Sequence, residues 1–161
     1  MKIKLIILCI ILIYVYCYFI FPDDIIILQS TLKDFEYNML LRRQPLVIED
    51  KVKEIIVLMK TWFKGNIIQD INFDHNRIWN INNHKYLLIY TIEDTEVLLY
   101  QAGNTVIDDL PDNREPVLSI TLKKFQSTIV PYRWYYNISN KNDVKLYGIH
   151  DYITYVIANV I

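Results

Sequence analysis

An unbroken apolar run occupies residues 5–21, preceded by two lysines and followed by two aspartates. A helix that crosses a hydrocarbon core needs about 20 mostly apolar residues, with about 17 as the lower limit. Residues 3–21 meet that length, and Lys4 lies near the edge, where its stem can extend to the interface. The pattern therefore predicts a transmembrane signal-anchor over residues 3–21.

Two other interpretations of this run stay open, a cleaved signal peptide and a buried core helix. A signal peptide has a shorter apolar stretch, about 7 to 15 residues, and ends in small residues, whereas bulky residues fill positions 18–21.

Lys2 and Lys4 precede the run, so the positive-inside rule puts the N-terminus in the cytoplasm. We expect a single-pass membrane protein whose lipid contact is through residues 3–21.

After the run, polar residues become frequent and the apolar positions become periodic. We interpret residues 22–29 as a juxtamembrane linker and residues 30–161 as a single domain. The first periodic segment predicts an amphipathic helix that begins at Ser30 or Thr31. It ends before Pro45, because the residue that precedes a proline is pushed out of the α region.

A second amphipathic helix is predicted over about residues 50–64, and Gly65 supplies its left-handed exit. Strand-forming segments rich in β-branched and aromatic residues make up most of the rest, at 46–48, 78–81, 85–92, 97–101, 117–122, 127–130, 134–138 and 144–149. Residues 150–161 fit either a helix or a final strand. The pattern predicts a mainly β fold with helices: an antiparallel β-sandwich or small barrel, preceded by two amphipathic helices and the transmembrane helix.

One stretch has the order apolar strand, proline, short bend and tryptophan, at Ile129, Val130, Pro131 and Trp134. This stretch resembles the late strand pair of cupin-like proteins related to the JmjC oxygenases. Residues 44–49 are similar to that family's early strand, and residues 86–100 to its paired middle strands. The resemblance implies a cupin-like jelly-roll barrel. In that family, iron is held by a His-x-Asp or His-x-Glu pair and a distant His.

The chain departs from that ligand pattern. Tyr135 stands where the resemblance requires the distant His, and none of His75, His84 and His150 is followed two residues later by Asp or Glu. We therefore expect a degenerate domain with no metal, no cofactor and no catalytic residue. A zinc site built from the three histidines stays open as an alternative.

The densest aromatic cluster of the domain is Tyr132, Trp134, Tyr135 and Tyr136, and the candidate contact surface within it is Tyr132, Arg133, Trp134 and Tyr135. These side chains either pack in the core or form a candidate contact surface for a protein or a sugar, because aromatic residues with Arg favour interfaces. Asn137 begins an Asn-Ile-Ser sequon, which is a candidate glycosylation site if the domain is lumenal.

The composition of the chain limits which kinds of partner we expect. The net charge of −1 leaves no basic field for a nucleic-acid backbone, so we expect no nucleic-acid partner. Both cysteines, Cys9 and Cys17, lie in the apolar run, so residues 22–161 contain no thiol. The chain is rich in Ile, Asn, Tyr and Lys and contains only 3 Gly. This composition indicates an AT-rich genome, like those of large DNA viruses.

These observations favour a membrane-anchored, non-enzymatic binding or scaffolding protein. The expected partner is another protein, such as a capsid or membrane-associated protein, and a viral minor capsid or inner-membrane structural protein in the virion membrane is the more specific form of this hypothesis. The alternatives are a cupin-type metal-dependent oxygenase or epimerase, and a lectin-like adhesion module.

Overall fold

The computed structural model describes residues 2–19, 24–73, 77–101 and 118–160. The helices are α1 (Lys2–Phe19), α2 (Ile55–Trp62) and α3 (Tyr152–Val160), with 3-10 helices at Tyr37–Arg42 and Lys141–Asp143. The strands are β1 (Leu28–Ser30), β2 (Leu46–Ile48), β3 (Ile67–Ile71), β4 (Asn80–Ile81), β5 (Tyr86–Thr91), β6 (Thr95–Gln101), β7 (Leu118–Leu122), β8 (Ser127–Pro131), β9 (Trp134–Ile138) and β10 (Val144–His150).

The strands form two sheets. Sheet A has six strands in the order β1-β2-β8-β5-β10-β3, and sheet B has four in the order β4-β9-β6-β7. The short β1–β2 pair is parallel, whereas the other described pairs are antiparallel. Strands β8 and β9 follow one another along the chain but belong to different sheets, so the turn between them joins sheet A to sheet B.

Sheet A is covered on both faces, which explains the unbroken apolar sequence of its central strand. All six residues of β5 are buried. Tyr86, Leu88 and Tyr90 belong to the core cluster under the helices, and Leu87 and Ile89 belong to the cluster against sheet B. Successive side chains of a strand point to opposite faces, so each layer receives every second residue of β5.

The first core cluster lies between sheet A and a layer made of α2 and the 3-10 helix Tyr37–Arg42. From the helical side it receives Leu40, Ile55, Met59 and Phe63, all buried. From the sheet it receives Leu46, Ile48, Tyr86, Leu88, Tyr90, Ile129, Tyr147 and Ile149. The short α2 is therefore held mainly by the burial of one apolar face, because eight residues are too few for a helix to be stable alone.

The second core cluster fills the space between the two sheets. Sheet A contributes Val47, Leu87, Ile89, Val130 and Leu146, and sheet B contributes Val97, Leu99, Ile120, Leu122, Trp134, Tyr136 and Ile138. Trp134 is 0 % exposed and is the largest fully buried side chain of the described residues. The domain thus has three layers: the helical layer packs on one face of sheet A, and sheet B packs on the other face.

The transmembrane helix predicted over residues 3–21 is wrong. Helix α1 has 18 residues and includes two lysines, Lys2 and Lys4. Across the described residues, no helix has the length and apolar character that crossing a membrane requires.

The predicted preface of two amphipathic helices is also wrong. The Thr31 hydroxyl and Asp34 do bond to each other, but they close a single turn that no α-helix follows. The predicted cap Asp50 instead accepts a hydrogen bond from the Leu32 amide at 2.6 Å, and so ties the segment to the chain after β2. Between residue 24 and β2 the only helix in the structure is the 3-10 helix Tyr37–Arg42, and α2 spans eight residues of the predicted 50–64.

The mainly β character is confirmed, and most predicted strands lie within one or two residues of observed ones. The strands at 46–48 and 134–138 match β2 and β9, and residues 150–161 contain α3. The expectation of a sandwich was closer than that of a barrel, since the described strands form two separate sheets. Strands β1 and β3 were not predicted.

Replacing Trp134 with Ala should lower the free energy of unfolding by roughly 3 to 5 kcal/mol, because the change empties a fully buried site between the sheets. Urea denaturation measures it. Leu41→Ala is the matched control, since Leu41 is 68 % exposed and its loss should cost less than about 0.5 kcal/mol. A loss under about 1 kcal/mol for Trp134→Ala would contradict this packing.

Candidate functional site

The most highly bonded buried polar side chain among the described residues is Asn82, in the loop between β4 and β5. It is 1 % exposed. Its Nδ2 donates to the Val130 and Pro131 carbonyls at 3.0 and 2.8 Å, and its Oδ1 accepts from the His84 amide at 2.8 Å. Its backbone amide donates to the Trp134 carbonyl at 2.9 Å. Asn82 therefore fastens the loop to the point where the chain crosses from sheet A to sheet B.

The crossing itself is the two-residue turn Tyr132 and Arg133. Arg133 has a φ of 62°, in the left-handed region, and its amide donates to the Asn82 carbonyl at 2.8 Å. Both side chains are partly exposed. Of the predicted contact surface, these two residues are the ones a partner can reach.

The remaining members of the predicted contact surface are buried. The Trp134 ring lies in the core between the sheets. Tyr135 points to the opposite face of sheet B, where its ring lies 6.4 Å from that of Tyr100. Asn137 is half-buried in the middle of β9, opposite Leu98, and by alternation lies on the same outer face as Tyr135. Glycosylation of Asn137 stays a prediction.

The fold brings together two histidines that are 66 positions apart. His84 Nδ1 and His150 Nε2 are 2.7 Å apart, and the rings meet edge to face with centroids 4.8 Å apart. At this distance one nitrogen must carry the hydrogen and the other must accept it. His150 is 2 % exposed, and its Nδ1 has no hydrogen-bond partner within the described ranges. We call these two residues the histidine pair.

Gly148 provides the space for the pair. A Cβ at this position would lie 2.8 Å from the His84 ring, closer than real Cβ contacts. The His84 ring therefore rests on the backbone of β10, and only a glycine permits this approach. This packing removes water from one side of the ring.

Burial determines the charge state of the pair. Desolvation, followed by the neighbouring His150, lowers the pKa of His84 from 6.5 to about 4. Desolvation also lowers the pKa of His150, although Asp151 opposes this shift. Both imidazoles are consequently neutral at pH 7, and the pair can share one hydrogen bond without a net charge.

Immediately beyond the pair, Asp151 starts α3. Its Oδ1 accepts from the Thr154 amide at 2.8 Å, and its Oδ2 lies 2.7 Å from Lys85 Nζ. The Thr154 hydroxyl in turn accepts from the Asp151 amide at 3.1 Å. This reciprocal capping ties the first turn of α3 to the residue that follows the pair.

The three-histidine zinc site has two of its residues in contact, and the third, His75, lies outside the described residues. Histidine nitrogens that share a metal stand farther apart than the 2.7 Å seen here, because each is about 2.0 to 2.1 Å from the ion. In the part of the chain that the structure describes, no group of three metal-ligating side chains is found.

A surface groove lies where the helix layer stops, beside β3 and the start of β10. It has a volume of about 430 Å³ and continues into a second depression of about 300 Å³ along the first turn of α2. Ile56, Lys145 and Tyr147 line both parts. Burial, then Asp70, raises the pKa of Tyr147, so its hydroxyl stays protonated. Lysines and carboxylates both line the groove, which therefore presents no single charge.

The contact between His84 and His150 has little local signal in the sequence. The two residues are separated by 66 positions, and the pairing of β5 with β10 that joins them is visible only in the fold. One usable signal was Gly148 inside an apolar strand, since an isolated glycine there often marks a close approach. For Asn82, the signal was its turn position, because Asn side chains bond readily to nearby backbone.

Comparison of the chain with family models, with curated proteins and with solved structures finds no match. The resemblance to cupin-like proteins stays a prediction.

Replacing Asn82 with Ala should destabilise the protein by about 2 to 4 kcal/mol, because each buried group left without a partner costs about 1 to 3 kcal/mol. Asn83→Ala is the matched control: the neighbouring side chain is exposed and its removal should cost less than about 0.5 kcal/mol. Chemical denaturation of both variants gives the comparison. Equal losses at positions 82 and 83 would contradict the role assigned to Asn82.

The histidine pair should make stability fall in mild acid. The pKa of His84 is lower in the folded chain than in the unfolded one, so the unfolded chain binds more protons as the pH falls below about 6.5. After a discount for partial exposure, the wild type should lose about 1 to 2 kcal/mol more than His84→Gln between pH 7 and pH 5. Urea denaturation at the two pH values measures this difference, and parallel losses in both proteins would refute it.

Proposed function

We propose that this protein is a non-enzymatic binding or scaffolding domain whose partner is another protein. The observation that carries the proposal is the filled interior between the sheets, where Trp134, Leu99 and Val130 are fully buried. A metal-dependent cupin enzyme needs an open metal position that substrate and oxygen can reach. Apolar side chains occupy the corresponding space here.

The lectin-like alternative is less well supported by the same packing. A sugar-binding site of that kind would stack the ligand on an exposed aromatic ring, and Trp134 is enclosed between the sheets. The surface that we propose for the protein partner is the turn Tyr132 and Arg133, which joins the sheets at a fixed position because Asn82 holds the backbone there. A rigid turn with an aromatic ring and an Arg is typical of interface anchors.

A structural role in a virion is the more specific form of this proposal. Its support is compositional: abundant Ile, Asn, Tyr and Lys with few Gly indicates an AT-rich genome, as in large DNA viruses.

Metal analysis tests the proposal against the enzyme. The purified full chain should contain no stoichiometric iron or zinc, and added Fe²⁺ or Zn²⁺ should leave its melting temperature unchanged within error, whereas a bound metal would stabilise the folded state by mass action. Bound metal together with a thermal shift that disappears in His150→Ala would overturn the scaffold proposal and favour the oxygenase.

Binding itself can be tested at the turn. Arg133→Gly removes the side chain from a position with positive φ, where glycine is favoured, so the turn should be preserved. We expect Arg133→Gly and Tyr132→Ser to weaken the complex with the native partner about tenfold or more. Lys33→Gln, at an exposed position remote in sequence, is the control and should leave the affinity unchanged. Unchanged affinity in all three variants would place the contact elsewhere.

A further inference from the structure

The histidine pair lies where the chain leaves sheet A and enters α3. His150 is the last residue of β10, Asp151 caps α3, and the Tyr155 ring meets the His150 ring edge-on with centroids 5.9 Å apart. His84 belongs to the loop before β5, which Asn82 holds in place. The pair therefore joins a fixed loop of the sandwich to the base of α3.

Other contacts also reach the first turn of α3. Lys85 Nζ pairs with Asp151 Oδ2 at 2.7 Å, and Thr154 is 1 % exposed. Tyr152 and Val156 are exposed apolar side chains of this helix. None of the nine residues of α3 is charged. The contacts named above thus lie at its first turn and at the residue that precedes it.

The charged groups around the pair already have partners. Asp151 uses Oδ1 for the Thr154 amide and Oδ2 for Lys85. Lys85 also lies 5.7 Å from the centre of the Tyr86 ring. Tyr155 contributes a neutral ring. Asp151 opposes the lowering of the His150 pKa, whereas a charged His150 lowers the pKa of His84. A second positive charge in the pair is therefore repelled by the first.

Whether the two rings can hydrogen-bond depends on how many of them are protonated. With both imidazoles neutral, one N–H donates to one lone pair. With both protonated, two N–H groups would face each other across 2.7 Å and two like charges would share a site with little water. Because the His84 ring already rests against Gly148, it cannot move deeper, so the rings must separate outward or α3 must move with His150.

We propose that the histidine pair is an acid-sensitive latch that holds α3 against the end of β10 and that protonation of both imidazoles releases the helix. In the latched state the pair shares one hydrogen bond and the Asp151 cap is intact. Release withdraws the Tyr155 ring from His150 and exposes the buried side chain of Thr154. This inference is independent of the proposed binding function.

Hydrogen exchange of the full chain, followed by mass spectrometry at pH 7 and pH 4.5, tests the latch once the intrinsic exchange rates are corrected for pH. We expect the protection of residues 152–156 to fall at least about tenfold at pH 4.5, whereas β5 keeps its protection. In His84→Gln the fall should be absent. Unchanged protection of 152–156 in the wild type, or a simultaneous loss in β5, would overturn the proposal.

His75→Gln is the matched control, because it removes the third histidine of the chain. It should retain the wild-type response, and a lost response there would contradict the assignment to the pair. If His84→Gln does not fold, NMR titration of the wild type decides. The imidazole signals of His84 and His150 and the amide signal of Thr154 should then change with a common midpoint, and a separate midpoint for Thr154 would refute the latch.

Discussion

The burial of sheet A on both faces is the constraint on which the rest of the structure depends. A sheet with one wet face would show alternating apolar and polar residues, but β5 reads Tyr-Leu-Leu-Ile-Tyr-Thr and is buried throughout. Each face then needs its own cover. Sheet B covers one face and the layer of α2 and the 3-10 helix Tyr37–Arg42 covers the other. The two apolar clusters are therefore separate, with β5 in the middle of both.

This constraint also explains how far the sequence could predict the fold. Runs such as β5 and β8 are strongly β-branched and aromatic, and their positions could be predicted because that composition is typical of fully buried strands. Strands β1 and β3 could not, since β1 has three residues and β3 carries Gln69 and Asp70 on an edge. Their pairing depends on distant partners, which local patterns do not record.

The errors in the helical regions have a common physical cause. The Thr31 and Asp34 spacing does form hydrogen bonds, yet such bonds can close a single turn as readily as they begin a helix. Tertiary contacts decided the outcome, since the carboxylate of Asp50 binds the Leu32 amide. At the N-terminus the apolar run does form a helix, α1, but among the described residues no helix meets the requirement for crossing a membrane.

Some residues of the candidate sites are indicated by the local sequence, whereas others are brought together only by the fold. Tyr132 and Arg133 could be recognised because an aromatic and basic turn is a local feature of the sequence. The histidine pair could not, because its geometry results from the register that places His150 beside the loop before β5 and Gly148 opposite Leu87. Asn82 belongs to both classes: its turn position was visible, but its bonds to Val130 and Pro131 cross from one segment of the chain to another.

The strand order of sheet A has a consequence for the kinetics of folding. Strand β3 pairs with β10, which lies more than seventy positions later, and β2 pairs with β8 at a similar separation. Closing such long loops costs chain entropy before any contact repays it, so domains of this kind fold slowly compared with locally connected ones. Until β10 arrives, β3 lacks its described partner and β5 has one open edge. The last strand thus sets the pace at which the whole sheet is completed.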